Sequence, residues 1–358
     1  MLNKNRCLRK RKGVQLYKMP KVSVIIPNYN HARFLERRFQ SVLQQTYKDY
    51  EIVYLDDASR DDSETVVSRF LSDRRVTAIL NKTNSGSPFR QWNKGIRAST
   101  GEYVWIAEAD DFADQRLLAA LVNRLDVNPT AGLAYCQSWE VNEQDIIIRS
   151  LRQHTADLDP QRWQVDFYST GRDEISRFLA VKNTIPNASA VLFRRCVYEA
   201  VGGADETLTL AGDWMLWVKM LLISDVCFCA EPLNYFRTHR GTARRKAVRA
   251  GLASEEQYRV ISYIFRHVEL TDSVREAALN AAAWSWVKHT VTLQVGFDRQ
   301  KKIYHVARNV DPQINWRLLK TTSRIFTQVL SKAAKAQKPH YQTDELHDIS
   351  HVSRMSGL

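Results

Sequence analysis

Three short apolar runs, each ending in a cluster of polar or acidic side chains, restrict this chain more than any other feature. Val22-Ser-Val-Ile-Ile-Pro27 is near-continuously apolar, the mark of a strand buried on both faces, and it ends in Asn28-Tyr29-Asn30. Glu51-Ile-Val-Tyr-Leu55 runs directly into Asp56-Asp57, and Tyr103-Val-Trp-Ile-Ala107 into Glu108-Ala109-Asp110-Asp111. Between them the spacing predicts helices from His31 to about Gln45, from about Asp62 to Leu71 and from Phe89 to Ala98, with a further strand at Val76–Leu80. Strand and helix in alternation specify an α/β fold with a doubly wound, mainly parallel sheet flanked by helices. Ligand crevices of such sheets lie at the carboxyl ends of the strands, so the three polar clusters are expected to converge on one edge.

The second half is less regular. Strands are expected at Gly132–Cys136, Ala188–Phe193 and Val226–Ala230, Leu233–Phe236 is strand-like, and an apolar helix is expected at Asp213–Leu222. After Arg240 the character turns helical and basic, which divides the chain into a tail (residues 1–21), a catalytic-type domain (22–240) and a helical C-terminal extension (241–358). Charge follows the same division. The tail holds eight Lys/Arg and no acid, the extension 19 against 10 Asp/Glu, and the central domain 25 against 29. An acidic centre suits a metal site, whereas basic flanks suit phosphate-rich partners such as an anionic membrane or nucleic acid.

No stretch approaches the roughly 20 apolar residues needed to span a bilayer, and the basic N-terminus lacks the apolar core of a signal peptide. A cytoplasmic location, peripheral on the inner face of the plasma membrane at most, is the expectation. The five cysteines (Cys7, Cys136, Cys196, Cys227, Cys229) lack metal-site spacing and read as reduced core thiols.

Acids crowded at the end of a strand repel one another, and a hard divalent cation held by carboxylates and substrate phosphates relieves that repulsion. The competing reading of Glu108, Asp110 and Asp111 is a solvated turn in which Asp111 or Asp114 caps the next helix. The pairing with Asp56-Asp57 on a neighbouring parallel strand favours the metal site.

At these residues the sequence resembles the family 2 glycosyltransferases, inverting enzymes of the GT-A fold that use nucleotide-diphosphosugar donors. The resemblance rests on Val22 to Asn30, Leu55-Asp-Asp-Ala-Ser-Arg-Asp61, Asn84-Ser-Gly86, Asn93-Lys-Gly95 and Gly101 to Asp111. It continues through Asn187 to Arg195, Gly202-Gly203, Gly212-Asp-Trp214 and Glu231 to His239, all in the family's order. It implies that Pro27, Asn28, Tyr29, Asn30 and Asp57 form the nucleotide-base pocket, with Asp56 sharing that role or holding the turn. Asp110 is implied as a metal ligand, with Asp111 behind it and Glu108, where the family usually has Asp, near the ribose. Ala109 and Asn93 fall within the same donor-site motifs. Asp213 is implied as the catalytic base, its alternative being a helix N-cap. His239 is either a ligand to the metal (Mg²⁺ or Mn²⁺) or diphosphate, or a structural histidine. Arg90 and Arg237 are either diphosphate contacts or solvated side chains.

The function expected is transfer of a sugar to a hydroxyl of a glycan or lipid-linked saccharide, in cell-surface polysaccharide or O-antigen-type synthesis. A catalytically inactive relative that binds glycan or nucleotide sugar is the alternative. A processive synthase would need membrane spans and a Gln-x-x-Arg-Trp motif, and Gln161-Arg162-Trp163 lacks that spacing. A nucleotidyltransferase would need a Gly-rich basic loop after the first strand, and nucleic-acid binding has no aromatic–basic recognition motif to support it.

The basic flanks remain. Arg317 to Lys338 reads as a two-faced helix, with Leu318, Leu319, Ile325, Phe326, Val329, Leu330 and Ala333 on one side and Arg317, Lys320, Arg324, Lys332, Lys335 and Lys338 on the other. Such a helix lies in a membrane interface or packs its apolar side on a neighbour such as Val260–Val268. Lys4 to Lys12 contacts anionic lipid or is an inert tail.

Overall fold

The computed structural model describes residues 19–239, 248, 250–293 and 295–336. The basic tail, Cys7, the expected domain boundary near residue 241 and the polar end after Pro339 lie outside the described residues.

The first half folds as the apolar runs require. Strands β1 (Val22–Asn28), β2 (Tyr50–Asp56), β3 (Val76–Leu80) and β4 (Tyr103–Ile106) pair in parallel in the order β3-β2-β1-β4. Register sets Asn28 opposite Asp56, so the ends of β1 and β2 are level. Helices α1 (Ala32–Leu43), α2 (Ser63–Ser68) and α3 (Pro88–Ala98) make the crossovers, α2 shorter than its periodicity predicts. α3 presses Gly95 so close to β1 that a β-carbon there would lie 2.5 Å from Ile25 Cγ2, which explains a glycine inside a helix.

The second half extends the same sheet with reversed strands. β5 (Phe112–Ala113) follows the acidic turn at once, and α4 (Leu117–Val127) leads to β6 (Ala131–Val141) and the short β7 (Ile147–Ser150). β8 (Phe167–Ser169), α5 (Gly171–Glu174), a π turn (Ile175–Leu179), β9 (Val191–Arg194), α6 (Arg195–Ala200) and α7 (Gly212–Leu221) come next. β9 lies antiparallel between β4 and β6.

β10 (Asp225–Arg237) joins two expected strand segments into one 13-residue strand. Pro232 separates those segments in sequence because it donates nothing to a ladder. The sheet absorbs it with register shifts on either side, as at a β-bulge. β10 runs parallel to β6, and its end pairs antiparallel with β5, Tyr235 opposite Phe112.

Apolar side chains form two layers, one on each face of the sheet. One gathers Ile25, Trp92, Phe193 and Trp217, the other Val24, Phe39, Trp105 and Leu192. The extension consists of α8 (Leu252–His267), α9 (Asp272–Leu293), α10 (Phe297–Arg308) and α11 (Ile314–Ala336). α8 gives Val260 and Ile264 to the sheet core and Tyr258 and Ile261 to a separate helical core with Trp286, Ile303 and Ile314. Among the described residues no helix is long and apolar enough to cross a membrane. Cys136, Cys227 and Cys229 are buried free thiols, whereas Cys196 is exposed.

Candidate active site

Asp110 faces a pair of histidines. His239 Nε2 stands 3.1 Å from Asp110 Oδ2. His31, just before α1, meets His239 edge-on with ring centroids 5.4 Å apart. One potential ligand atom from each of His31, Asp110 and His239 lies within 4.8 Å of the others. Topology creates this group. Asp110-Asp111 lead into β5, β5 pairs with the end of β10, and His239 sits two residues past that end. His31 is brought in by the turn between β1 and α1.

Two buried guanidinium groups hold the acidic turn from beneath. Arg38, wholly buried on α1, donates from Nε to the Glu108 carbonyl at 2.8 Å and from a terminal nitrogen to Ser189 Oγ at 3.3 Å. Arg237 donates from Nε to the Asp110 carbonyl at 2.7 Å and from Nη1 to the Asn142 carbonyl at 2.7 Å, while its backbone N–H donates to Asp111 Oδ1 at 2.8 Å. Burial nevertheless pushes Glu108 up to about 8, helped by the charge of Asp110, and Asp111 up to about 7 for the same reasons. Asp110 is half-buried, but the His239 hydrogen bond and the nearby His31 hold it below the ordinary value. The turn thus keeps one ionised carboxylate facing two imidazoles, with two acids behind it that resist ionisation.

A second acid sits at the start of α7. Asp213 Oδ1 accepts the Trp214 N–H at 2.6 Å, and Asn183 Nδ2 lies 3.4 Å from Oδ2. Ala211 is the N-cap and Asp213 the second residue of the helix, where the unsatisfied N–H groups favour a negative side chain. Gly212 is required there, because a β-carbon would meet Phe89 Cε2 at 2.4 Å. Phe89 packs edge-on against Trp92 at 4.9 Å, and Trp92 Nε1 donates to Glu108 Oε1 at 2.8 Å. A continuous run of packed side chains therefore links the start of α7 to the acidic turn.

The model of the family described as "Glycosyl transferase family 2" matches residues 23–202. The chain belongs to this family. The glycosyltransferase is 29% identical over 253 residues to an uncharacterised glycosyltransferase of Nostoc sp. (strain PCC 7120), a match covering 66% of this chain and 70% of that one. Its fold is similar to that of S. aureus TarS 1–349 in complex with UDP-GlcNAc, with a TM-score of 0.64 at 16% identity over 84% of this chain and 89% of the other. A mannosyltransferase from Pyrobaculum calidifontis in complex with GDP-Man and Mn²⁺ gives a TM-score of 0.54 at 17% identity, covering 86% and 87%. The GT-A architecture expected from sequence is the observed one, a mixed and mostly parallel sheet with C-terminal helices.

The expected donor-site residues of the glycosyltransferase divide into two groups. Pro27 and Asn28 end β1. Tyr29 is exposed, and Asn30 adopts a positive φ of 58° while its Oδ1 accepts the Arg60 N–H at 2.7 Å. These, with Ala109 and Asp110, line the carboxyl edge of the sheet. Asp56 holds the turn, accepting from Asn28 Nδ2, Tyr54 Oη and the Ser59 N–H at 2.8, 3.0 and 2.7 Å. Asp57 accepts from Asn81 Nδ2, Ser85 Oγ and Gln91 Nε2 at 2.6 to 2.8 Å, which ties the loop before α3 to β2.

Other expected contacts turn elsewhere. Asn93 clamps the Gly202-Gly203 turn, donating to the Ala204 carbonyl at 2.9 Å and accepting the Ala204 N–H at 3.1 Å. Arg237 is neither solvated nor aimed at a diphosphate. It is 1% exposed, because the carbonyls of Asp110 and Asn142 and the carboxylate of Asp145 take up its donors. Arg90 is exposed, bonded to the Ser85 carbonyl at 3.1 Å and beside Glu206.

Sequence reasoning missed His31, Arg38, Trp92, Ser189 and Asn183. His31 had one usable signal, its place directly after Asn28-Tyr29-Asn30. Arg38 had none, since one arginine on a helix reads as solvated.

Proposed function

We propose that the glycosyltransferase moves a sugar, with inversion at the anomeric carbon, from a nucleotide diphosphate onto a hydroxyl acceptor, and that the reaction depends on a divalent cation. The observation that carries this reading is the meeting of His31, Asp110 and His239 at the carboxyl edge of the sheet. Their donor set fits a divalent cation. Two imidazoles beside one carboxylate favour Mn²⁺ over Mg²⁺, which prefers oxygen ligands alone. Such a cation supplies charge neutralisation for the departing diphosphate. A fold neighbour bound to GDP-Man and Mn²⁺, and another bound to UDP-GlcNAc, support a nucleotide-sugar donor.

Within this reading residues 22–240 form the catalytic domain, and Asp213 takes the proton of the acceptor hydroxyl as it attacks the donor sugar. One of its oxygens accepts the Trp214 N–H and the other accepts from Asn183 Nδ2, contacts that orient the carboxylate at the start of α7. Trp92 orients Glu108 towards the donor, and Arg38 and Arg237 fix the backbone of Glu108 and Asp110 so that Asp110 cannot swing away from the histidines. The acceptor we propose is a glycan or lipid-linked saccharide in cell-surface polysaccharide synthesis, handled at the cytoplasmic face of the membrane. Calorimetry with UDP-, dTDP- and GDP-sugars, with and without Mn²⁺, on wild type and Asp110→Ala tests the site. Metal-dependent binding of one donor, lost in the variant, is expected. A folded, metal-supplied protein that binds none of them would remove the reading.

A further inference from the structure

The outward face of α11 carries an unexpected arrangement. The sequence pattern puts Leu319 and Phe326 on an apolar side, turned to a membrane interface or to a neighbouring helix, and Arg317 on the basic side; in the structure Arg317 packs inward while Leu319 and Phe326 face outward. Arg317 is 7% exposed, donating to Asp311 at 2.6 Å, Glu276 at 2.8 Å and Asn280 at 2.6 Å. That latch fixes the rotation of the helix. Ile314, Thr321 and part of Leu318 face inward with it, and α11 packs on α9, whereas Val260–Val268 was the expected neighbour. Trp316, Leu319 and Phe326 are consequently 65%, 63% and 64% exposed.

At about 100° per residue these three side chains fall within roughly 80° of arc, with Lys320 and Arg324 along one border of the stripe. Lys320 and Arg324 are exposed as well. The sequence of α11, INWRLLKTTSRIFTQVLSKAAKA, contains five Lys/Arg and no Asp or Glu. An aromatic and aliphatic stripe bordered by bases on an acid-free helix matches a surface that is apolar inside and anionic at its rim. Solvent-facing positions of a soluble protein seldom gather Trp, Leu and Phe in one strip. A second copy fits poorly, because a two-fold contact would bring the same bases face to face with no carboxylate on either helix.

We infer that α11 seats the enzyme on an anionic lipid surface, with Trp316, Leu319 and Phe326 entering the headgroup boundary and Lys320 and Arg324 meeting lipid phosphates. This rests on the proposed lipid-linked or membrane-proximal acceptor, but its test is independent of catalysis. The full chain is sedimented with phosphatidylcholine vesicles containing roughly one phosphatidylglycerol in three, and with pure phosphatidylcholine. Wild type is expected to partition onto the anionic vesicles. Combined Trp316→Ser, Leu319→Ser and Phe326→Ser is expected to lower that partition at least tenfold. Lys320→Glu with Arg324→Glu lowers it on anionic vesicles alone, at roughly fivefold per base removed.

All five positions are exposed, so thermal unfolding and calorimetric donor binding are expected to match wild type in both variants. A donor-binding failure shared with wild type would therefore strike the catalytic reading and leave this one standing. Unchanged partition of the triple variant would overturn the inference and leave vesicle binding to other basic segments. Light scattering that shows a wild-type dimer dissolved by the triple variant would overturn it in favour of a second copy.

Discussion

Asp110 and His239 are separated by 129 residues, yet a hydrogen bond of 3.1 Å joins the carboxylate to the imidazole. The two-residue strand β5 makes this possible, because it follows Asp110-Asp111 directly and pairs with the end of β10. His31, just before α1, completes the group.

Replacing Asp110 by Asn keeps the shape and removes the charge. Mn²⁺-dependent donor binding is expected to weaken by about 100-fold or more, and His31→Ala and His239→Ala by about 10- to 100-fold each. Titration of Mn²⁺ by electron paramagnetic resonance checks all three. If His31→Ala titrates like wild type, the three-ligand arrangement is wrong.

Asp213→Asn tests the base. Turnover is expected to fall by about 100- to 10,000-fold while the donor dissociation constant is unchanged. A loss of donor affinity equal to the loss of turnover would reduce Asp213 to a structural role at the start of α7.

Metal-free stability is expected to fall as pH rises. Burial raises the folded-state value of Glu108 to about 8, against about 4.3 in an unfolded chain. A group raised on folding gives its full contribution below the unfolded value and loses it as pH climbs to the folded one, here between about pH 4 and 8. Asp111, raised to about 7, acts in the same direction. In the presence of EDTA the melting temperature is therefore expected to drop between pH 5 and 8. Glu108→Gln, which keeps an acceptor for Trp92, should flatten that slope. An identical slope in the variant would show that Glu108 does not carry it.

Gly212→Ala places a methyl group 2.4 Å from Phe89 Cε2, with no flexible atom to give way. A cost of about 1–3 kcal/mol is expected from overpacking, measured by urea unfolding. Because the strain falls one residue before Asp213, activity should drop more than stability alone explains. Wild-type stability would mean that α3 and α7 separate freely.

Much of the first half was legible because its signals are local. The Val22–Pro27 run, the alternation with helices and the acids at the strand ends follow from burial and strand polarity, and β1 to β4 form as expected. β10 was legible only in two pieces, since Pro232 erases the ladder signal that the bulge later restores. Asp57 and Asn93 illustrate a different gap. Motif position marks both, but only the packed structure shows that one carboxylate anchors the loop before α3 and that the amide clamps the Gly202-Gly203 turn. In α11 the periodicity left open whether the apolar side meets a neighbour or a membrane, and only the ion pairs of Arg317 with Asp311 and Glu276 show which way the helix is turned.

The sequence by itself determined the α/β class, the edge on which polar groups gather and the membership in a glycosyltransferase family, because each depends on local pattern and order along the chain. Tertiary structure decided which side chains meet: His31 with Asp110 and His239, Trp92 with Glu108, and two buried arginines beneath the acidic turn. Those meetings depend on strand pairing between distant segments and on the desolvation of charge, and neither leaves a periodic trace in the residues themselves.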